Sequence, residues 1–243
     1  SPGENFLVVS NAVRNKIQIL GLDSDSFKEV AVGGLPRGFV FDEAGSKAFL
    51  VSEEDNIVLV IDVPEGEVIS KIPVGIHPHD ILLSRRAQKI YVSNIASNSV
   101  TVIDAKTLKV VQEIGVGRTP TALAEDEARG LIYVGNSGDG SIGIIRSDFT
   151  VETLHLNSPA YYQTGPLGLL YSKTIQKLFV LNPSLAHFFI IDTVINKVQG
   201  EGKTLPWPRQ MLAGEDSSRV FIRHFEAPPL LKIDLATTQT EKI

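Results

Sequence analysis

The residues with the most potential chemistry lie at His77-Pro78-His79-Asp80, where two imidazoles and a carboxylate are close together in the chain. We expect His77 and His79, which flank Pro78, not to bind one metal ion together. His79 with Glu53 supplies two ligands, whereas a transition-metal site takes three or four. The sequence therefore predicts no metal site.

His79 and Asp80 could also act as an acid–base pair. No Gly-x-Ser-x-Gly turn, His-Glu-x-x-His motif or phosphate-binding loop accompanies them. We therefore predict no catalytic residue and no cofactor.

These residues belong to a repeated pattern, in which a proline returns every 42 to 46 residues and is followed by a short apolar run. The copies are Pro36, Pro78, Pro120, Pro166 and Pro208. A period of this length is typical of repeat architectures.

The third repeat shows four strand-like runs, at 89–94, 99–104, 108–114 and 121–124. They are rich in β-branched and aromatic side chains and bounded by Asn, Ser, Gly or Pro, which is typical of short antiparallel strands joined by tight turns. No segment between them has room for a ten-residue helix with helical periodicity. The sequence therefore predicts an all-β fold. The Asp that ends a strand in several repeats, as at Asp104, is expected to accept hydrogen bonds from the following turn.

Residues 90–124, IYVSNIASNSVTVIDAKTLKVVQEIGVGRTPTALA, resemble the repeat of the YVTN β-propeller family. In that family a Tyr-Val-Thr-Asn-like strand precedes a Val-Ile-Asp strand and a Val-Gly-x-x-Pro turn. The resemblance covers essentially the whole chain, most faithfully residues 49–136. It departs in the last two repeats, where Pro183 follows Asn182 and His224 stands at the Asn position. It implies a β-propeller of four-stranded blades.

The repeats predict about six blades in a single domain, 1–243, with repeats near 6–46, 47–88, 89–130, 131–176 and 177–218 and an incomplete one at 219–243. Counted this way, one blade lacks its innermost, proline-led strand. Either the propeller has six blades with one strand missing, or the chain is part of a longer one. Because the family it resembles usually has seven blades, we favour the longer chain. A strand from a partner could also complete the open blade.

In propellers the loops that enter the innermost strands and those that follow the second strands lie on one face, around the central channel. The repeat register places seven predicted ligand-binding residues there: Arg37, Glu53, His79, Asn94, Thr121, Asn136 and Arg209. Three of these can be cationic in an acidic chain, which favours binding of an anion such as a carboxylate or phosphate.

Three aromatic residues complete the predicted ligand-binding set. Tyr161 and Tyr162 lie in the four-residue insertion of the fourth repeat, and Trp207 stands between two prolines beside Arg209. Tyrosine and tryptophan are favoured at binding surfaces because they combine large area with a polar tip.

Composition excludes some partners and compartments. The net charge of −5 opposes binding to nucleic acid or to an anionic membrane, and no stretch approaches the ~20 apolar residues of a transmembrane helix. The chain has no cysteine, hence no disulfide or thiolate metal site. The resemblance implies a periplasmic, extracellular or cell-surface location, which the residues themselves do not decide.

Three functions remain open from the sequence. We favour a non-enzymatic, exported scaffold that presents a funnel to a protein, peptide or glycan. The alternatives are a propeller enzyme or enzyme subunit, lactonase-like or dehydrogenase-like, with a site over the central channel, and a structural component completed by a partner's strand. Propellers host all three, so fold alone does not separate them.

Overall fold

A computed structural model describes residues 2, 5–24, 26–156, 168–183, 186–206, 208–214, 218–225 and 230–243, and for residues 209 and 210 only the backbone. These residues form 23 strands in six antiparallel sheets and contain no helix. Five sheets have four strands and one has three. The prediction of an all-β chain of about six propeller blades is confirmed. The chain divides into two compact units, Ser1–Gly115 and Val116–Ile243, described separately below.

The first unit holds three sheets, in which consecutive strands are neighbours: β1–β3, β4–β7 and β8–β11. Its strands are β1 (Phe6–Asn11), β2 (Lys16–Gly21), β3 (Phe27–Ala31), β4 (Pro36–Phe41), β5 (Lys47–Ser52), β6 (Ile57–Asp62), β7 (Glu67–Pro73), β8 (Pro78–Ser84), β9 (Lys89–Asn94), β10 (Ser99–Asp104) and β11 (Val110–Gly115).

The second unit holds the sheets β12–β15, β16–β19 and β20–β23, built in the same consecutive order. Its strands are β12 (Pro120–Asp126), β13 (Leu131–Asn136), β14 (Ser141–Ile145), β15 (Val151–His155), β16 (Gly168–Ser172), β17 (Lys177–Asn182), β18 (His187–Asp192), β19 (Lys197–Lys203), β20 (Pro208–Ala213), β21 (Arg219–His224), β22 (Leu231–Asp234) and β23 (Thr240–Lys242).

The repeated prolines begin strands, as expected of a residue that cannot donate to a sheet ladder and is tolerated at a strand's first position. Strands β4, β8, β12 and β20 start at Pro36, Pro78, Pro120 and Pro208, and each forms one edge of its sheet. Pro166 lies outside the described residues.

The central strands of the four-stranded sheets are the most buried because both of their faces are covered. All six residues of β13 are buried, whereas the edge strand β11 buries only Ile114. Within the first unit, apolar side chains of successive sheets interlock in two clusters, one containing Ile19 and Leu50 and the next containing Val60 and Val92. The core therefore lies along the middle strands of the sheets.

The aspartates that end strands hold the turns that follow. The Oδ1 atom of Asp104 accepts hydrogen bonds from the backbone N–H groups of Lys106 and Thr107, at 3.1 and 2.7 Å. These bonds, above all those from Thr107, lower the pKa of Asp104. Equivalent bonds occur at three other strand ends, at Asp62, Asp192 and Asp234. The predicted turn-holding role is confirmed.

Candidate functional site

The loops that lead into the proline-led strands share an unusual backbone. The residue before the proline has a positive φ in three of them, at 51° for Leu35, 52° for His77 and 54° for Thr119. Non-glycine residues rarely adopt this conformation. In two loops an asparagine of the preceding sheet holds it: Asn15 Oδ1 accepts the N–H of Leu35 at 3.1 Å, and Asn56 Oδ1 accepts that of His77 at 2.8 Å.

In the first unit these loops bring four side chains together. Arg37 is the second residue of β4, Glu53 follows β5, and His77 and His79 flank Pro78. The Nε of Arg37 donates a hydrogen bond to Oε2 of Glu53, and Nδ1 of His77 lies 3.5 Å from Oε1 of the same carboxylate. We call Arg37, Glu53, His77 and His79 the His79 cluster.

Within the cluster, exposure differs between groups. The side chain of Glu53 is only 12% exposed, whereas those of Arg37 and His77 are 39% and 54% exposed. The carboxylate therefore lies between the guanidinium of Arg37 and the imidazole of His77, both of which reach solvent. In the described part of the chain only Nε of Arg37 is engaged, so its two terminal nitrogens can bind a ligand.

His79 is half-buried, and its Nδ1 atom is buried with no hydrogen-bond partner among the described residues. Burial, and next the positive charge of Arg37, lower the pKa of His79, while Glu53 partly opposes them. At neutral pH the ring is therefore uncharged and offers one N–H and one lone pair. The charge of Arg37 thus acts on an acid–base group of the same cluster, a combination that can bind a carboxylate or activate water.

Two predicted ligand-binding residues are buried instead of lining a surface. Asn94 and Asn136 are 0% exposed. Nδ2 of Asn94 donates to the hydroxyls of Ser99 and Thr101, at 3.1 and 2.9 Å. Each asparagine also packs against the glycine three residues before the proline that opens its own sheet: Asn94 against Gly75, and Asn136 against Gly117. Their role in the structure is to hold the loops, because a buried side chain is not available to a ligand.

The other predicted residues lie apart from the cluster. Thr121, in the second unit, is 7% exposed and hydrogen-bonded. Arg209 lies in β20, where only the backbone is described. Tyr161, Tyr162 and Trp207 lie outside the described residues. Of the predicted set, the structure therefore brings Arg37, Glu53 and His79 together.

Sequence reasoning did not assign His77 to this site, although side chains two residues apart on an extended segment lie on the same face, which is compatible with a place beside His79. The backbone at His77 is left-handed, and Nδ1 of its ring lies 3.5 Å from Oε1 of Glu53. The available signal was that Leu35 and Thr119 occupy the same position before a strand-opening proline.

A second polar cluster, in the other unit, was also missed. Asp126 ends β12 and is 1% exposed. Arg129, in the following turn, places Nη1 at 3.4 Å from Oδ2 of Asp126 and at 2.5 Å from the carbonyl oxygen of Thr193, to which it donates. The buried carboxylate is thus balanced by a cation that also ties one sheet to the next. We call Asp126, Arg129, Tyr133, Tyr171 and Thr193 the Asp126 cluster.

Two tyrosines complete the Asp126 cluster. The rings of Tyr133 and Tyr171 stack with centroids 6.2 Å apart. Burial, and after it the neighbouring Asp126 carboxylate, raise the pKa of each tyrosine to about 12. Both phenols are therefore protonated throughout the physiological range, which fits a packing role.

His224 takes the place that asparagine holds in other repeats. It is 5% exposed, and both ring nitrogens are buried without a hydrogen-bond partner among the described residues. Asn94 donates a hydrogen bond to Thr101, the seventh residue after it. The seventh residue after His224 is the apolar Leu231, which offers no such partner. Burial therefore lowers the pKa of His224.

This burial predicts a loss of stability in acid. A histidine whose folded pKa lies below its unfolded value, about 6.5, binds more protons in the unfolded chain. The free energy of unfolding should fall as pH drops below about 6.5, and level off below the folded pKa. Denaturant unfolding at pH 7 and pH 5 checks this. His224→Phe and His79→Gln should each reduce the fall in the free energy of unfolding between pH 7 and pH 5. An unchanged pH dependence in both variants would contradict the expectation.

Comparison with known proteins places the chain in a family. Residues 1–167 match the family described as lactonase, 7-bladed β-propeller. The match covers more than half of the chain, which therefore belongs to this family. No curated protein sequence matches it.

Solved structures share the fold. The chain is similar to hydrazine synthase of Kuenenia stuttgartiensis (TM-score 0.73, 16% identity, 86% of this chain and 65% of that one). It is also similar to the dihydro-heme d1 dehydrogenase NirN (TM-score 0.81, 16% identity, 100% and 54%) and to virginiamycin B lyase from Staphylococcus aureus (TM-score 0.80, 15% identity, 99% and 80%). This chain spans less than two thirds of the length of the matched hydrazine synthase and NirN chains. At identities of 15–16% the likeness shows the fold alone.

Among the described residues no helix is long and apolar enough to cross a membrane. No group of three or more His, Cys, Asp or Glu side chains is arranged there to hold a metal ion.

Proposed function

We propose that the His79 cluster binds a small organic anion, such as a carboxylate. The observation that carries this proposal is the exposed guanidinium of Arg37, of which only Nε has a partner among the described residues, in one cluster with the half-buried His79. A bound carboxylate would accept hydrogen bonds from the guanidinium, which are stronger than those between neutral groups. An N–H of His79 would supply a further donor.

Glu53 limits and shapes this site. Its carboxylate already neutralises part of the Arg37 charge, so the expected affinity is modest. In return, the clamp from Glu53 fixes the plane of the guanidinium and so orients the terminal nitrogens. His77, at the exposed side of Glu53, adds a second nitrogen base at the rim.

Titration with gluconate, acetate and phosphate tests the proposal, followed by NMR of the histidine ring resonances. The His79 signals should shift in wild type. Arg37→Ala should weaken binding about tenfold or more, because a hydrogen bond to a charged group is worth about 1.5–3 kcal/mol. Arg118→Ala is the matched control, since this exposed arginine lies in the next proline loop. Equal behaviour of the two variants, or no shift at His79, would refute the site.

Family membership favours a second function, hydrolysis of a lactone at the same cluster. In such a reaction the oxygen of water bonds to the lactone carbonyl carbon and the ring C–O bond breaks. His79 would take the proton from water and pass it to the departing alkoxide. Arg37 would stabilise the negative oxygen and then hold the product, a hydroxy acid.

Turnover separates catalysis from binding. With glucono-δ-lactone as probe, wild type should release acid faster than the uncatalysed background, and His79→Gln should lower the excess rate about 100-fold or more, as expected for loss of a general base. If the protein binds gluconate but does not hydrolyse the lactone faster than background, the anion-binding proposal stands and hydrolysis of this lactone is excluded.

The broader proposals rest on family resemblance. A protein, peptide or glycan partner on the loop face, an exported location and the YVTN type of repeat remain predictions. Localisation of a tagged full-length protein in its own cells tests the predicted exported location.

A further inference from the structure

The strand that carries His79 is interrupted by a β-bulge directly after its proline. The pairing of β8 with β9 shifts register between Pro78 and Ile81, where β8 advances by three residues and β9 by two. His79 and Asp80 therefore face a single residue of β9, Ser93. A bulge changes the direction of a side chain and takes one residue out of the hydrogen-bond ladder.

A buried hydroxyl holds this bulge. Ser93 is 0% exposed, and its Oγ atom accepts the backbone N–H of Asp80 at 3.0 Å. That N–H belongs to the planar peptide unit that begins at the Cα atom of His79. The hydrogen bond therefore restricts the backbone from which the His79 side chain projects.

A second bulge lies against the first. In the preceding sheet the register of β4 with β5 shifts at Arg37 and Gly38. A Cβ atom built on Gly38 would lie 3.2 Å from Oδ1 of Asp80 and 3.4 Å from the backbone nitrogen of Ile81. The strands that carry Arg37 and His79 are thus in close contact at their bulges, and a change in the backbone at Asp80 affects the spacing of both side chains.

Other sheets form the same bulge without a hydroxyl. The register also shifts just after the opening proline of β4, β12 and β20. The residues that face these three bulges are Val51, Gly135 and Arg223. The bulge itself therefore does not require Ser93, whose hydroxyl distinguishes the sheet that carries His79.

We propose that Ser93 is a positioning residue for the His79 cluster, and that its hydroxyl acts through the backbone N–H of Asp80 to orient the ring of His79 beside Arg37. The proposal rests on the proposed anion site, which gives the two side chains their function. Ser93 itself is buried behind the strand and does not touch the ligand.

Loss of the hydroxyl should change the surroundings of His79. Without the Oγ atom the N–H of Asp80 loses this acceptor, and an unsatisfied buried donor is costly, so the peptide should turn toward water. The ring of His79 then becomes more exposed and moves relative to Arg37. Since burial and the charge of Arg37 lower the pKa of His79, and Glu53 opposes them only in part, the pKa should rise toward about 6.5.

NMR titration of the histidine ring resonances in the full chain measures this change, with the His79→Gln spectrum as the assignment. Ser93→Ala should raise the pKa of His79 and weaken gluconate binding about fivefold or more. Ser93→Thr and Ser93→Val add similar volume at the same buried position, and only the first keeps the hydroxyl. The Thr variant should therefore keep the lower pKa and bind gluconate about fivefold more tightly than the Val variant.

Ser84→Ala is the matched control, because Ser84 is 2% exposed and its Oγ atom accepts the backbone N–H of Ala87 at 3.2 Å, at the other end of β8. It should change neither the pKa of His79 nor gluconate binding. An unchanged pKa in Ser93→Ala, equal behaviour of the Thr and Val variants, or the same effect from Ser84→Ala would overturn the proposal. If the wild type binds no gluconate, the anion site fails, and the pKa comparison still decides whether Ser93 orients His79.

Discussion

Arg129→Ala is expected to lower the free energy of unfolding by about 3 kcal/mol. The substitution leaves the carboxylate of Asp126, which is 1% exposed, without its compensating cation, and an unpaired buried charge is costly. It also removes the bond from Arg129 to the carbonyl of Thr193, which joins two sheets of the second unit. Denaturant unfolding, with the slope checked for constancy, measures the loss.

A second substitution identifies the cause. Asp126→Asn combined with Arg129→Ala removes the charge that Arg129 balances, so the double variant should be more stable than the sum of the two single changes predicts. Arg118→Ala, an exposed arginine in the same unit, should change stability by no more than about 0.5 kcal/mol. A strictly additive double variant would show that Arg129 acts through packing, and would contradict the charge argument.

Gly117→Ala should destabilise the chain by about 1–3 kcal/mol through overpacking. A Cβ atom built on Gly117 would lie 2.5 Å from Nδ2 of Asn136, and one on Gly75 would lie 2.6 Å from Cγ of Asn94. Both asparagines are fully buried and cannot swing away. Gly75→Ala should therefore behave in the same way.

Gly115→Ala provides the matched control, two residues away from Gly117. Its Cβ would meet nothing within 4 Å, and its φ is not in the left-handed region. Thermal unfolding should show a clear drop for Gly117→Ala and nearly none for Gly115→Ala. If Gly117→Ala and Gly115→Ala have the same melting temperature, the contact between Asn136 and Gly117 does not restrict the residue at position 117.

The blades were predictable because their signals are local. A proline at a strand start, β-branched runs and a turn-holding aspartate act within a few residues, and the repeat shows each of them several times. Pro78 and Asp104 therefore have the places that the pattern predicts. The register also brought Arg37, Glu53 and His79 to one site, because each stands at a fixed distance from a repeated proline.

The remaining features depend on contacts that no single repeat contains. Asn94 stands at a strand end, where the sequence suits either a surface or a buried position, and the contact with Gly75 decides between them. Arg129 meets Thr193 across 64 residues, and neither belongs to a repeated motif. His77 was missed because only the residue after each repeated proline was counted as a site position, whereas His77 stands before its proline with a left-handed backbone.

The left-handed residue before three of the repeated prolines also bears on how such chains can diversify. Leu35, His77 and Thr119 share one backbone shape although one is aliphatic, one an imidazole and one a hydroxyl. At Leu35 and His77 an asparagine Oδ1 atom accepts a hydrogen bond from the backbone N–H of the residue, so the backbone shape does not depend on that residue's side chain. The position is therefore exchangeable: a single replacement can bring new chemistry to the loop and leave the sheets unaltered. A family with such positions can acquire new ligands one loop at a time.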